Sequence, residues 1–152
     1  MIKYTDIGQF REVIRQVKHD TDYKGKNEDG SPIYLHNVPY PALKFRGTVK
    51  LHGTNSSIAK YKDRYEFQSR ERILSLTSDN NGFMLAMKGK SFDKLFNDIN
   101  FDDHCVIYGE WCGGSIQKGV AINGLPKMFV IFAVKIDNIY QDMFKCKFEI
   151  IH

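Results

Sequence analysis

Cysteine, proline and tryptophan are scarce, at three, four and one in 152 residues. Cys105, Cys112 and Cys146 are odd in number, form no Cys-x-x-Cys pair and have no His-x-x-x-His partner. That excludes a zinc-finger framework and implies reduced thiols in a cytoplasmic chain. No apolar run approaches the ~18 residues of a membrane span. The first fifteen residues carry Lys3, Asp6, Arg11, Glu12 and Arg15, so neither a secretion signal nor a membrane segment is expected. Internal repeats and low-complexity stretches are missing as well. Charge of one sign is in modest excess, since a net +4 suits a polyanion-binding surface and an ordinary soluble protein equally.

Apolar and aromatic residues, by contrast, are plentiful. With 42% hydrophobic residues the chain reads as one globular domain with a real core. Eleven Phe and eight Tyr exceed common usage. Packing accounts for most such rings, and base stacking needs only one or two.

Asp6 can cap a helix carrying Ile7, Phe10, Ile14 and Val17, with Gln9 placed as in a capping box and an end near Lys18 to Asp20. This amphipathic helix is expected to pack on a sheet. Thr21 to Pro32 reads as an exposed loop with a turn at Asn27-Glu28-Asp29-Gly30. Pro39-Tyr40-Pro41 forces an extended entry into a strand, Leu43-Lys44-Phe45-Arg46-Gly47-Thr48-Val49, whose apolar residues alternate. Two short strands, Ser56 to Lys62 and Arg64 to Gln68, follow around a Lys62-Asp63 turn, with Tyr65 and Phe67 on one face and Glu66 and Gln68 on the other. From Ser75 to Phe101 the pattern predicts a polar loop and then two helices, one presenting Phe83, Met84 and Met87 and the other capped by Ser91 with Phe92, Leu95, Phe96 and Ile99 inward. Cys105-Val106-Ile107-Tyr108, bounded by Gly109, predicts a buried strand, and Met128 to Val134 another. Asp137 to His152 fits a further strand, or a short helix and strand. The fold class is therefore α+β, with mainly antiparallel sheets and flanking helices.

The residues that carry chemistry centre on Lys50-Leu51-His52-Gly53-Thr54-Asn55. A lysine followed by a turn-permitting glycine and small polar residues can aim an amine at a phosphate held in the turn. An ordinary lysine titrates near ~10.4, so such an amine needs burial against apolar walls, or a second cation, to become a nucleophile at neutral pH. Gly113-Gly114-Ser115-Ile116-Gln117-Lys118-Gly119 lacks the spacing of a phosphate-binding P-loop, because its lysine precedes the last glycine.

Lys-x-His-Gly-Thr-Asn resembles nucleotidyltransferase motif I of ATP-dependent RNA ligases of the T4 RNA ligase 2 type. DNA ligases and capping enzymes share a Lys-x-Asp-Gly form, so His52 tilts the resemblance towards RNA ligases. Gln68-Ser69-Arg70 resembles motif Ia, Tyr108-Gly109-Glu110 with the following glycine pair resembles motif III and is continued by Ile116-Gln117-Lys118, and Met128 to Val134 resembles motif IIIa. The resemblance implies the nucleotidyltransferase (ATP-grasp-like) domain of RNA and DNA ligases, with Lys50 adenylylated by ATP and AMP passed to an RNA 5′-phosphate before a 3′-hydroxyl displaces it. ATP and Mg²⁺ are the cofactors implied and RNA ends the partners. Thr48, Val49 and Lys50 are placed at the ATP, Arg70 at phosphate or ribose, Glu110 at ribose or a metal-bound water, and Phe132 under the adenine with Phe129 as the alternative. His52 and Asn55 serve the later transfer steps or organise the turn.

Where the family often has aspartate after the stacking aromatic, this chain has Ala133. The Glu-Gly-rich motif IV and the lysine pair of motif V have no counterpart here and are expected beyond residue 152. The chain thus reads as a C-terminally incomplete adenylyltransferase domain. The competing readings are a nucleotide- or RNA-binding module of the same fold without turnover, and a DNA ligase or capping-type transferase.

Overall fold

The computed structural model describes residues Met1–Gln141, and every structural statement below concerns these. They form two compact units, one of residues Thr5–Val49 and one of Met1–Tyr4 together with the chain from Lys50 onward.

In the smaller unit, helix α1 (Phe10–Asp22) is followed by strands β1 (Tyr23–Lys26) and β2 (Pro32–Tyr34), an antiparallel pair. The helix starts three residues later than an Asp6 cap requires, with Gln9 as its extended N-cap. Gly8 would lie inside the expected first turn, where its backbone freedom opposes helix, and the helix begins beyond it. Thr21 is still helical, its hydroxyl donating to the Val17 carbonyl at 2.8 Å, which carries the helix past the expected end. The expected loop at Thr21 to Pro32 is instead a hairpin. Its turn lies where the sequence puts it: Gly30 N–H donates to Asn27 O (2.9 Å), and Asp29 Oδ1 accepts from both the backbone N–H and hydroxyl of Ser31. The expected strand at Leu43 to Val49 does not form. Leu43, Phe45 and Val49 are 40, 53 and 85% exposed, and alternation without a hydrogen-bonding partner strand does not make a ladder.

The larger unit is built on a five-stranded antiparallel sheet with strand order β4-β3-β5-β6-β7. Its strands are β3 (Gly53–Tyr61), β4 (Tyr65–Ser69), β5 (His104–Cys112), β6 (Met128–Ile136) and β7 (Ile139–Tyr140). The β3/β4 turn closes through Tyr61 N–H to Arg64 O at 2.9 Å. β7 covers the start of the predicted terminal element, and the remainder, with Cys146, lies outside the described residues.

One face of this sheet meets two short helices, α2 (Phe83–Met87) and α3 (Asp93–Phe96). Both are shorter than the apolar spacing suggested. Ile58, Ile107, Trp111, Phe129 and Val134 from the strands pack with Phe83, Met87, Phe92 and Phe96, and Tyr65 and Phe67 add to the edge. Phe83 is the keystone, with its ring centroid 5.6 Å from Trp111 and 5.1 Å from Phe129. Each buried ring contributes ~1.5 to 3 kcal/mol by leaving water, and the tilted pairs add about 0.5 to 1.5 kcal/mol. Asp79 holds the start of α2: Oδ1 accepts from Met84 N–H (2.7 Å) and Oδ2 from Leu85 N–H (3.1 Å). Ser91 Oγ accepts from Asp93 N–H at 3.4 Å, near its expected capping position.

On the opposite face Ala59, Val106, Tyr108 and Ala133 form a second, smaller cluster with Ile2, Tyr4 and Tyr61 against it. The N-terminal segment is tied down there. Tyr108 Oη donates to Ile2 O (3.1 Å), and Ile2 N–H donates to the buried Gln68 Oε1 (3.1 Å). Among the described residues no helix is long and apolar enough to cross a membrane.

Candidate functional site

β3 and β5 pair without a break from Gly53↔Cys112 to Tyr61↔His104, and this register makes Asn55 the direct partner of Glu110. Directly opposed residues of an antiparallel pair share a face, with Cβ atoms about 5 Å apart. Asn55 and Glu110 therefore project from the same side as Tyr108 and Val106, away from the helices. Glu110 sits within β5, not after it as the bounding role given to Gly109 implied. Gly109 does not end the strand; it admits a close approach at the irregularity between Tyr108 and Gly109 in the pairing with β6. A Cβ there would lie 2.7 Å from Val130 O.

Glu110 Oε1 accepts a hydrogen bond from Gly53 N–H at 2.9 Å, so the strand carboxylate holds the glycine of the lysine turn. Partial burial pushes the Glu110 carboxyl above its ordinary range, while the Gly53 N–H and the charges of Lys50 and His52 pull the other way. Lys50, His52, Gly53, Asn55 and Glu110 thus converge at one end of β3. Gly53 has no room for a side chain, since a Cβ would stand 2.2 Å from Trp111 O. Its carbonyl is also bound, accepting from Gln117 Nε2 at 3.1 Å. Gln117 is brought back to β3 by Gly113, Gly114 and Ser115, all at positive φ (83°, 51° and 65°), a backbone geometry in which glycine is unstrained.

Lys50 itself lies in the irregular segment before β3 and is exposed. Apolar walls do not enclose it. His52 acts with it on the Glu110 carboxylate. Arg70, one residue beyond β4, is exposed, with its Nε 3.7 Å from Glu71 Oε1. Phe132 is on the Glu110 face, 37% exposed, with Tyr4 edge-on at 5.2 Å and 74°. Phe129, the alternative stacking ring, is fully buried on the other face beside Phe83. Thr48 and Val49 are exposed and belong to the Thr5–Val49 unit.

A family model described as RNA ligase matches residues 43–145, more than half of the chain. The chain belongs to the RNA ligase family. No curated protein matches it. This family member therefore carries the lysine turn, the Glu110 strand and β6 inside the matched region. Reading its sequence missed two contributors to the site. Gln117 stood only in a resemblance, with no role attached, and Asn80 stood in a polar loop. The Asp79-Asn80-Asn81-Gly82 run was the local clue, since residues of that kind tie loops to neighbouring backbone.

The raised carboxyl of Glu110 gives a signed expectation. An acid whose folded-state pKa is raised binds more protons folded than unfolded, so its contribution to stability is present below the unfolded value and is lost as pH rises through the folded one. Glu110→Gln keeps an acceptor for Gly53 N–H and removes the desolvated charge. Urea unfolding should show the variant gaining on the parent as pH is raised from the ordinary carboxylate range to neutrality. A difference that stays constant with pH would show that Glu110 titrates alike in both states.

Among the described residues no three His, Cys, Asp or Glu side chains gather as a metal cage. A Mg²⁺ ion at this site would be carried chiefly by phosphate oxygens and water, with Glu110 the carboxylate at hand, a manner of binding usual for that ion.

Proposed function

We propose that this chain is an ATP-dependent RNA ligase nucleotidyltransferase domain that forms a covalent lysyl-AMP at Lys50 and hands AMP to an RNA 5′-phosphate. The Lys50 Nζ lone pair forms a bond to the α-phosphorus, the bond from that phosphorus to its bridging oxygen breaks, pyrophosphate leaves and the amine loses a proton to water. The RNA 5′-phosphate oxygen then attacks the same phosphorus and releases the lysine. A 3′-hydroxyl finally displaces AMP and joins the strands.

The observation that carries this reading is the hydrogen bond from Gly53 N–H to Glu110 Oε1, with Lys50 and His52 acting on the same carboxylate. It joins two segments far apart in sequence, each of which resembles a motif of the family, into one local arrangement. Arg70 offers a planar guanidinium for phosphate or ribose, Phe132 a partly exposed ring for adenine stacking, and Thr48 and Val49 the approach to the lysine. His52 and Asn55 serve the transfer to RNA. Mg²⁺ would supply charge neutralisation on the triphosphate. A cytoplasmic setting and RNA ends as partners belong to the same proposal.

The exposure of Lys50 favours a second reading, a module that binds nucleotide or RNA reversibly without turnover. Incubating the protein with α-labelled ATP and Mg²⁺, then denaturing it, separates the two. Label that stays on the denatured chain supports the ligase, and binding that disappears on denaturation supports the module.

A further inference from the structure

The edge of β3 changes partner just where the lysine turn joins it. β4 accompanies β3 only as far as Ser56↔Ser69, so Gly53, Thr54 and Asn55 have β5 on one side and no strand on the other. Asn80 fills that edge. Its Nδ2 lies 3.3 Å from Asn55 O, 3.1 Å from Thr54 Oγ1 and 3.2 Å from Ser56 Oγ, and Thr54 Oγ1 donates back to Asn80 Oδ1 at 3.2 Å. An amide carries two N–H protons, so these three acceptors use its full donor capacity.

Asn80 is itself held rigidly. Its neighbour Asp79 caps α2, and the carbonyl of Asn81 accepts from the indole of buried Trp111 (3.1 Å) and from Lys127 Nζ (2.9 Å). The loop is therefore anchored to the core on either side of the amide. A side chain so fixed can transmit the position of the core to the strand it grips.

We propose that Asn80 is a positioning residue for the adenylyl-transfer site. By substituting for the missing strand along Thr54 and Asn55, it fixes the backbone from which Asn55 projects beside Glu110, and from which the turn back to Lys50 departs. Gly53 is held from the β5 side by Glu110 and from the loop side by Gln117, and Asn80 completes the grip one residue further along. The inference rests on the ligase reading above.

The test follows covalent labelling of the full chain by α-labelled ATP and Mg²⁺ in Asn80→Asp, Asn80→Ala and Thr54→Val. Asn80→Asp keeps the shape and Oδ1 but loses the N–H donors. It should label about tenfold or more slowly than the parent, with the ATP concentration for half-maximal rate changed less than about threefold, because orientation and not binding is lost. Thr54→Val should show a smaller slowing in the same direction. The ratio of Asn80→Asp to parent should rise as pH is lowered towards the carboxylic acid range, where protonation restores one O–H donor to the side chain. The Asn80→Ala ratio should stay flat.

A role confined to folding would instead slow labelling only in proportion to the unfolded fraction seen by circular dichroism, with no pH rescue. That result, or Asn80→Asp labelling as fast as the parent, overturns the inference alone. A parent protein that takes no label overturns the ligase reading, and this inference falls with it.

Discussion

Replacing Lys50 with alanine will abolish covalent labelling by ATP, a fall of about four orders of magnitude or more, and will leave the protein as stable as before. The first half follows from chemistry. A phosphoramidate needs a nitrogen lone pair, and removing the nucleophile of a covalent catalyst costs more than removing any of its supports. The second half follows from position: Lys50 is exposed in the segment before β3, and substitutions at exposed sites stay within about 0.5 kcal/mol. On the proposed mechanism, activity and stability should therefore separate at this residue.

Arginine in place of Lys50 sharpens the test. A guanidinium keeps the positive charge that acts on Glu110 but cannot be deprotonated in a protein, so it offers no nucleophile. Lys50→Arg should therefore be as inactive as Lys50→Ala in labelling while retaining nucleotide binding closer to the parent, measured by equilibrium dialysis. Label appearing on either variant, mapped by peptide mass to another lysine, would falsify the assignment of Lys50.

The parts of this architecture that sequence made legible are those fixed by period. Tyr65 and Phe67 alternate with Glu66 and Gln68, and β4 places the first pair against the core and buries Gln68 on the other side. β5 is legible in another way, as the compact apolar run Cys105 to Tyr108, which is buried on both faces of the sheet. Periodicity misled at Leu43 to Val49, where alternation exists but no ladder forms, because a strand is a property of two segments and the sequence shows one. Around Gly109 it misled differently. Glycine reads as punctuation, yet here it permits close approach within a continuous strand. The hairpin at Tyr23–Tyr34 was hidden because its strands are only four and three residues long and the turn between them is polar.

The site divides along the same line. Lys50, His52, Asn55 and Glu110 stand in contiguous patterns and could be named, whereas the bonds that hold them do not. Asn80 reaches Thr54 across 26 residues and Gln117 reaches Gly53 across 64. Nothing in a local window encodes such a pairing, since it depends on how the loops are carried by the folded core. Tyr4, edge-on to Phe132, illustrates the same limit from the start of the chain.

Gly109→Ala should be strongly destabilising although it adds only a single methyl near the site. A Cβ at 109 would stand 2.4 and 2.7 Å from Phe129 Cε2 and Cζ, and 2.7 Å from the carbonyl oxygen of Val130. The ring cannot swing aside, because Phe129 is fully buried with Phe83 packed 5.1 Å away. The carbonyl cannot move without the strand. Overpacking of this kind costs about 3 kcal/mol, which at this chain length lowers the thermal midpoint by roughly 6 to 12 °C. Relief must come from the β5/β6 irregularity itself, so the displacement falls on Val130, the cross-strand partner of Glu110, and through Glu110 on the Gly53 turn. Trimming the obstructing ring tests that route. Phe129→Leu alone should destabilise by opening a cavity, but in the Gly109→Ala background it should recover part of the loss, a coupling that two independent substitutions would lack. Additive effects, or a Gly109→Ala midpoint equal to the parent's, would mean that the strands part at this point without cost, and that Glu110 is placed by something other than the close seating of β6 on Gly109.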